Sequence, residues 1–270
     1  MRKFKKNYPI IILEVMKMPK KEEKEAKKNY DYMAEYYHDI RTKRNPEGWF
    51  YNELLEMPAT LELLGNIKEK KILDFGCGTG IYAKILSNKC AKVKGFDISP
   101  KMLEIAKRNN LDLDFRLGSG YKIPFKEKFD VVNSSLVVHY LDNWDKMLKE
   151  VKRVLKKGGY FVFSTGNPVT ESSVSIKKGK NKKKRILGDK DYFKDKKVSA
   201  IWDLEEKGKL KITSYHRTYE SIIKTIIRNG FEIIDYKDCF PLKKSKKLYP
   251  EHYAIWSKIP IFCVWKLKLK

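Results

Sequence analysis

Short apolar runs alternate with amphipathic stretches along most of this chain. Ile72-Leu73-Asp74-Phe75, Val131-Val132 and Tyr160-Phe161-Val162-Phe163-Ser164 read as buried strands, rich in β-branched and aromatic residues. Before the last of these, Trp144, Met147, Leu148, Val151 and Leu155 fall on one face of a helix, which Lys156-Lys157-Gly158-Gly159 brings to a stop. Further on, Thr218 suits the cap of a helix from Tyr219 to Arg228, with Gly230 ending it. Phe231-Glu232-Ile233-Ile234 and Ile261 to Trp265 read as final antiparallel strands. This alternation predicts an α/β fold, a parallel sheet covered by helices on both faces.

The most informative segment is Lys71-Ile72-Leu73-Asp74-Phe75-Gly76-Cys77-Gly78-Thr79-Gly80. A strand ends in a carboxylate and turns through three close glycines into a helix near Ile81. Glycines tolerate the backbone angles of such a turn and let a ligand lie against the main chain. A second strand, Val93-Lys94-Gly95-Phe96-Asp97, ends in another acid, placed to accept two hydrogen bonds from a ribose diol. A dinucleotide site wants Gly-x-Gly-x-x-Gly, but here Gly80 comes one residue early and Ile81 stands where glycine is required. Asp74 would repel a nearby phosphate and suits a cationic amino group. No Gly-Lys-Ser/Thr follows, which excludes a phosphate loop.

These residues resemble the first motif of the class I S-adenosylmethionine-dependent methyltransferases, in the methyltransferase type 11-like, small-molecule-type subgroup. Asp97-Ile98-Ser99-Pro100-Lys101-Met102 is similar to the family's second motif, in which Ser99 would cap the following helix, and Ile123-Pro124-Phe125 with Phe129-Asp130-Val131-Val132 is similar to its loop and fourth strand. The resemblance runs from about Tyr30 to the C-terminus. It implies a doubly wound, mostly parallel, seven-stranded Rossmann-like sheet with an N-terminal helical lid and an insert after the fifth strand. It also implies S-adenosyl-L-methionine as cofactor, held by Asp74, Gly76, Gly78, Gly80, Asp97, Ile98, Met102 and Ser135. In related enzymes a Tyr-x-x-x-Ala-x-x-Tyr helix closes over the cofactor, and Tyr30 and Tyr37 match it, either as lid residues or as packing. The chain departs from the family at Ser119, where many relatives carry an Asp that binds the adenine amine; a neutral hydroxyl is a weaker acceptor.

Composition changes this picture little. The 270 residues fit one large α/β domain, and 42% hydrophobic residues suffice for its core. The expected division is a basic extension over 1–28 and a methyltransferase domain over 29–270, with the lid at 29–66 and the insert at 171–212. Glutamine is absent and charge is abundant, a thermophile-like profile. The formal net charge of +25 points either to a polyanion partner or to solvated lysines spread over the chain. The run Ile176 to Arg185 is cationic and reads as a solvated loop or as a phosphate-backbone contact. Cys77, Cys90, Cys239 and Cys263 are far apart, which disfavours a zinc site or disulfide scaffold and is consistent with a cytoplasmic location. No apolar run reaches membrane-spanning length, and no metal-ligand spacing is present.

Candidate chemistry gathers after the fourth strand, at Asn133-Ser134-Ser135-Leu136-Val137-Val138-His139-Tyr140. The absence of Asn/Asp-Pro-Pro-aromatic here argues against exocyclic amines of bases and glutamine amides as acceptors. His139, with His216 from the insert, is a candidate base for the acceptor's proton, the alternative being that each histidine orients a loop. Arg217 offers a planar fork of donors for a substrate carboxylate or phosphate, and Tyr140 is a second candidate for binding the substrate. The expected activity is methyl transfer from S-adenosylmethionine to a small molecule. Alternatives are a transfer or ribosomal RNA methyltransferase and a non-catalytic S-adenosylmethionine-binding protein; DNA specificity and oligomeric state are not legible.

Overall fold

The computed structural model describes residues 21–178, 183–187, 191–204 and 207–270. Chain order begins with helix α1 (Lys21–Thr42), a π-helical segment (Pro46–Glu56) and α2 (Met57–Leu64). Alternating elements follow: β1 (Lys71–Phe75), α3 (Ile81–Asn88), β2 (Lys92–Asp97), α4 (Pro100–Asn109), β3 (Asp114–Leu117), β4 (Phe129–Ser134), α5 (Trp144–Val154) and β5 (Leu155–Gly166). The next stretch holds α6 (Pro168–Ser173) and two hairpins, β6 (Val174–Lys178) with β7 (Lys183–Leu187) and β8 (Lys196–Asp203) with β9 (Lys209–His216). The chain ends with α7 (Tyr219–Arg228), β10 (Phe231–Asp238), the short α8 (Ser245–Leu248) and α9 (Pro250–Trp256), and β11 (Phe262–Leu269).

Seven strands form one sheet in the order β10-β11-β5-β4-β1-β2-β3. All are parallel except β11, which runs antiparallel to both β5 and β10. The expected doubly wound α/β sheet and an insert after the fifth strand are therefore present, and the insert contains two hairpins.

The apolar runs are explained by burial on both faces. Successive strand residues point to opposite sides, so Leu73 and Phe75 pack with Val132, Phe161 and Met147 of α5 in one core. Ile72, Val131 and Val162 pack with Leu63 of α2 and Leu86 of α3 in the other. Phe75, Phe96, Phe161 and Phe163 are at most 1% exposed, and each such side chain stabilises the fold by roughly 1.5–3 kcal/mol.

Helix α5 buries Trp144, Met147, Leu148 and Val151, the expected face, but stops at Val154. Leu155 already belongs to β5, which takes in Lys156 to Gly159 as well. The two expected caps form: Ser99 Oγ accepts from Met102 N–H at 3.1 Å, and Thr218 Oγ1 from Ser221 N–H at 3.0 Å.

The N-terminal boundary differs from the sequence expectation. Helix α1 is already formed at Lys21, earlier than residue 29, while residues 1–20 of the basic lead lie outside the described residues. Of the cationic run, residues 179–182 also lie outside them.

Candidate cofactor and acceptor site

Strand order reverses at β1, whose neighbours are β2 and β4, and the crevice beyond the carboxyl ends of these strands is where such sheets bind ligands. A cleft opens there. Its floor is the turn after β1. Gly76 and Cys77 donate their backbone N–H groups to Phe96 O at 2.9 and 3.0 Å, which pins the turn to β2. Gly76 has φ +71°, and a Cβ on it would lie 2.5 Å from the Val137 side chain. Gly78, at φ +53°, would point a Cβ into open space, with no atom within 4 Å. The turn thus presents bare backbone to the cleft. Gly80 serves helix packing instead. A Cβ there would lie 2.7 Å from Asn110 Nδ2 and 3.1 Å from Ala106 Cβ, so it permits α3 to pack against α4 and does not line the cleft.

Asp97 lines the cleft at the end of β2, 9% exposed. Its carboxylate accepts from Gly78 N–H and Ser99 N–H, both at 2.9 Å, so its orientation is fixed by the backbone on either side. Burial raises its pKa against the pull of those two donors. Ile98 and Met102 supply an apolar wall beside it.

Asp74 stands behind the turn and is 1% exposed. Oδ1 accepts from Asn133 Nδ2 at 3.2 Å, while Oδ2 is buried with no hydrogen-bond partner. Burial drives its pKa up to about 7 despite the Asn133 bond.

The roof comes from α1, where Tyr30 and Tyr37 line the cleft. Tyr30 Oη donates to Tyr140 Oη at 2.9 Å, and its ring meets those of Tyr37 and Tyr140 edge-on at 6.1 and 5.7 Å. Tyr140 sits in a 3₁₀ turn, Val138–Tyr140, that follows β4. Ser135, just before it, lines the cleft and donates to Glu56 Oε2 at 2.9 Å. Glu56 is fully buried, also accepts from Thr60 at 2.7 Å, and has its pKa raised by burial.

Sequence reasoning missed the carboxylate of the cleft wall that α1 supplies. Glu23 of α1, within the stretch read as an extension, lines the cleft and accepts from Ser119 Oγ. Ser119, expected to touch the cofactor, stands behind that carboxylate; its oxygen also accepts from Tyr121 N–H at 3.0 Å. The available signal was spacing, since Glu23, Ala26, Tyr30 and Tyr37 recur with helical period and all four line the cleft.

The two histidines do not line it. His216, at the end of β9, is 0% exposed, with Nε2 at 2.9 Å from Tyr192 O and Nδ1 at 3.4 Å from Glu171. Burial pushes its pKa down, but Glu171 and the Tyr192 carbonyl outweigh this and leave it above the ordinary value. The ring therefore ties α6 to the segment before β8. His139 packs on Tyr140 at 4.3 Å between centroids, and its Nδ1 is buried without a partner. Burial drives its pKa down to about 4 although Glu171 opposes the shift, so the ring is neutral at neutral pH.

Arg217 is largely committed within the protein. Its Nη2 donates to Leu141 O at 2.9 Å and Asp142 O at 2.6 Å, and its guanidinium lies 4.9 Å over the Trp144 ring. Nη1 has no partner. A second, smaller cavity adjoins the roof, bounded by Glu25, Asn29 and Tyr30 of α1, Tyr140, and Ile212 and Tyr215 of β9. Among the described residues, no group of three or more His, Cys, Asp and Glu is placed to hold a metal ion, and no helix is long and apolar enough to cross a membrane.

The bare backbone at Gly78 and the pinned carboxylate of Asp97 fit a nucleoside in the cleft, and the unpartnered oxygen of Asp74, buried behind the turn and not in the cleft wall, suits a cationic group that reaches it. Comparison with known proteins agrees. Residues 73–163 match the family described as a methyltransferase domain. An uncharacterised protein of Haemophilus influenzae is 33% identical over 216 residues, which is 75% of this chain and 82% of that protein. The ubiquinone biosynthesis O-methyltransferase of Pelagibacter ubique is 32% identical over 152 residues, 54% of this chain and 63% of its own length. Among solved structures, an S-adenosylmethionine-dependent methyltransferase from Mesorhizobium loti superposes with a TM-score of 0.64 at 25% identity, over 79% of this chain and 97% of that one. The chain belongs to the S-adenosylmethionine-dependent methyltransferases.

Proposed function

We propose that the acceptor is a small molecule, methylated beneath Tyr30 and Tyr140, where the cofactor cleft meets the small cavity between α1 and the β8–β9 hairpin. One observation carries this reading: Tyr30 and Tyr140 line both cavities and join across their boundary at 2.9 Å. An acceptor there is enclosed by α1 on one side and β9 on the other, which suits a compact ligand better than a polymer. The named relative from Pelagibacter ubique is, by its name, a ubiquinone-biosynthesis O-methyltransferase, and supports a small-molecule acceptor in the same sense.

When bound, S-adenosylmethionine supplies a methyl group already activated by a positive sulfur. What remains for the chain is to orient the partners and exclude water. Asp97 would hold the ribose hydroxyls, Ile98 and Met102 the apolar flank, the Gly76–Gly78 backbone the amino-acid portion, and Asp74 Oδ2 its ammonium. Tyr30, Tyr37 and Tyr140 form the roof that keeps water out. Burial raises the pKa of both Tyr30 and Tyr140, so they act as neutral phenols that orient the acceptor. His139, packed against Tyr140, is the candidate for an acceptor proton, whereas the bonds of Arg217 to the Leu141 and Asp142 carbonyls and the placement of His216 favour anchoring roles.

The test is to supply the protein with methyl-tritiated S-adenosylmethionine and separate low-mass and RNA fractions of a cell extract. Label should enter the low-mass fraction. Label in transfer or ribosomal RNA, lost when Lys183, Lys184 and Arg185 are changed to Ser, would favour a polyanion substrate instead.

A further inference from the structure

We propose that Glu23 of α1 is the residue that reads the cofactor's base, accepting a hydrogen bond from the exocyclic amine of adenine and so making the N-terminal helix part of the nucleoside site. The inference rests on the S-adenosylmethionine reading above and adds to it a specificity-determining residue.

The placement follows from the ribose outward. Asp97 ends β2 with its carboxylate fixed by Gly78 and Ser99, which locates the diol. Beyond it, Ile98 and Met102 give a flat ring an apolar surface, and Gly118 and Gly120 border the same space. Glu23 lines the same cleft, 6% exposed, and Ser119, which lies between those two glycines, orients it by donating its hydroxyl proton. A carboxylate offers acceptors only. It needs a donor from the ligand, and the exocyclic amine is the donor on the polar edge of an adenine. A hypoxanthine base carries a carbonyl oxygen at that position and would oppose the carboxylate.

Helix α1 is held firmly enough for this role. Asp31 accepts from Ser99 Oγ at 2.6 Å and from Lys101 N–H at 3.3 Å, tying α1 to the start of α4. On its other side, Asn29 donates to Lys211 O at 2.9 Å and Glu25 accepts from Thr213 Oγ1 at 2.5 Å, tying it to β9. The same helix therefore meets the base with Glu23 and the acceptor cavity with Glu25 and Tyr30.

The experiment is calorimetry with S-adenosylhomocysteine and with S-inosylhomocysteine, which differs by the replaced amine. Wild-type protein should prefer the adenosyl ligand by about tenfold or more, because a site built for a hydrogen-bond donor rejects a ligand lacking it. In Glu23→Gln the preference should collapse to within about threefold, since a carboxamide can turn and donate to the inosine carbonyl. Glu35→Gln, on the same helix but paired with Arg108 at the surface, should keep the wild-type preference. Equal binding of both ligands by the wild type, or an unchanged preference in Glu23→Gln, would overturn the role of Glu23 alone. Failure of the wild type to bind either ligand would remove the cofactor reading, and this proposal with it.

Discussion

The hydroxyl of Tyr30, on the N-terminal helix, donates to that of Tyr140, in the turn after β4, at 2.9 Å. The bond spans the junction of the cofactor cleft and the adjoining cavity and links two segments far apart in the chain. It joins a roof element to the sheet end where the reacting atoms are expected, so its loss should affect ordering more than folding. Tyr30→Phe should lower stability by about 0.5–1.5 kcal/mol and lower kcat/KM for methyl transfer several-fold. Tyr140→Phe should do the same, and the double variant should be little worse than either single one. Fully additive losses in this cycle would show that the two hydroxyls act separately.

Asp97→Asn should weaken S-adenosylmethionine binding by roughly 1–3 kcal/mol, because a charged acceptor for the ribose is replaced by a neutral one. Asp97→Ala should be worse and also less stable, since Gly78 and Ser99 both donate to this carboxylate and would lose their partner. Isothermal titration with circular dichroism as a folding control separates the effects. Unaltered affinity in a folded Asp97→Asn protein would remove the ribose assignment.

Asp74 gives a pH signature. Burial holds its pKa at about 7 in the folded state against an ordinary 3.8. Between those values the folded protein keeps a proton that the unfolded chain has released. Its contribution to stability is therefore present in full below 3.8 and is lost as pH rises to about 7. A cationic ammonium arriving at the unpartnered Oδ2 would favour the ionised form. Cofactor binding near pH 6 should then release a proton, and affinity should increase as pH rises towards neutrality. Calorimetry in buffers of different ionisation enthalpy measures this release. Asp74→Asn should abolish it; persistence in that variant would assign the proton to another group.

These relationships divide by how local their causes are. The glycine turn, Asp97 and the caps Ser99 and Thr218 were legible because each depends on a few neighbouring residues and a backbone rule. Glu23 was legible only in part: it falls in the stretch read as a basic extension, its spacing from Tyr30 and Tyr37 is the one local hint, and which acid turns inward is set by how α1 docks on α4 through Asp31 and Ser99. The direction of His216 was equally hidden, because the strand before it fixes its face only after β8 and β9 have paired. Arg217 looked free for a substrate, but the carbonyls of Leu141 and Asp142 that occupy it come from a loop more than seventy residues earlier.

The docking of α1 rests on one more pair that was not legible. Arg41, near the end of that helix, donates through Nε and Nη2 to Glu53 Oε1 at 3.0 and 2.7 Å, and their side chains are only 8% and 10% exposed. Glu53 Oε2 has no partner, so Arg41 is its principal compensation. Replacing Arg41 with Met strands a buried carboxylate, and such a loss costs roughly 3–5 kcal/mol. For a protein of this size that corresponds to a fall in Tm of about 10 °C. The double variant Arg41→Met, Glu53→Leu removes both charges and should recover most of the loss, because well-packed apolar groups often replace a buried ion pair at little cost. Cofactor affinity should follow stability in the single variant and return in the double, since neither residue lines the cleft. Thermal denaturation followed by circular dichroism checks the first expectation and calorimetry the second. A single Arg41→Met variant as stable as the double would mean that solvent reaches Glu53 and that this pair does not anchor the lid.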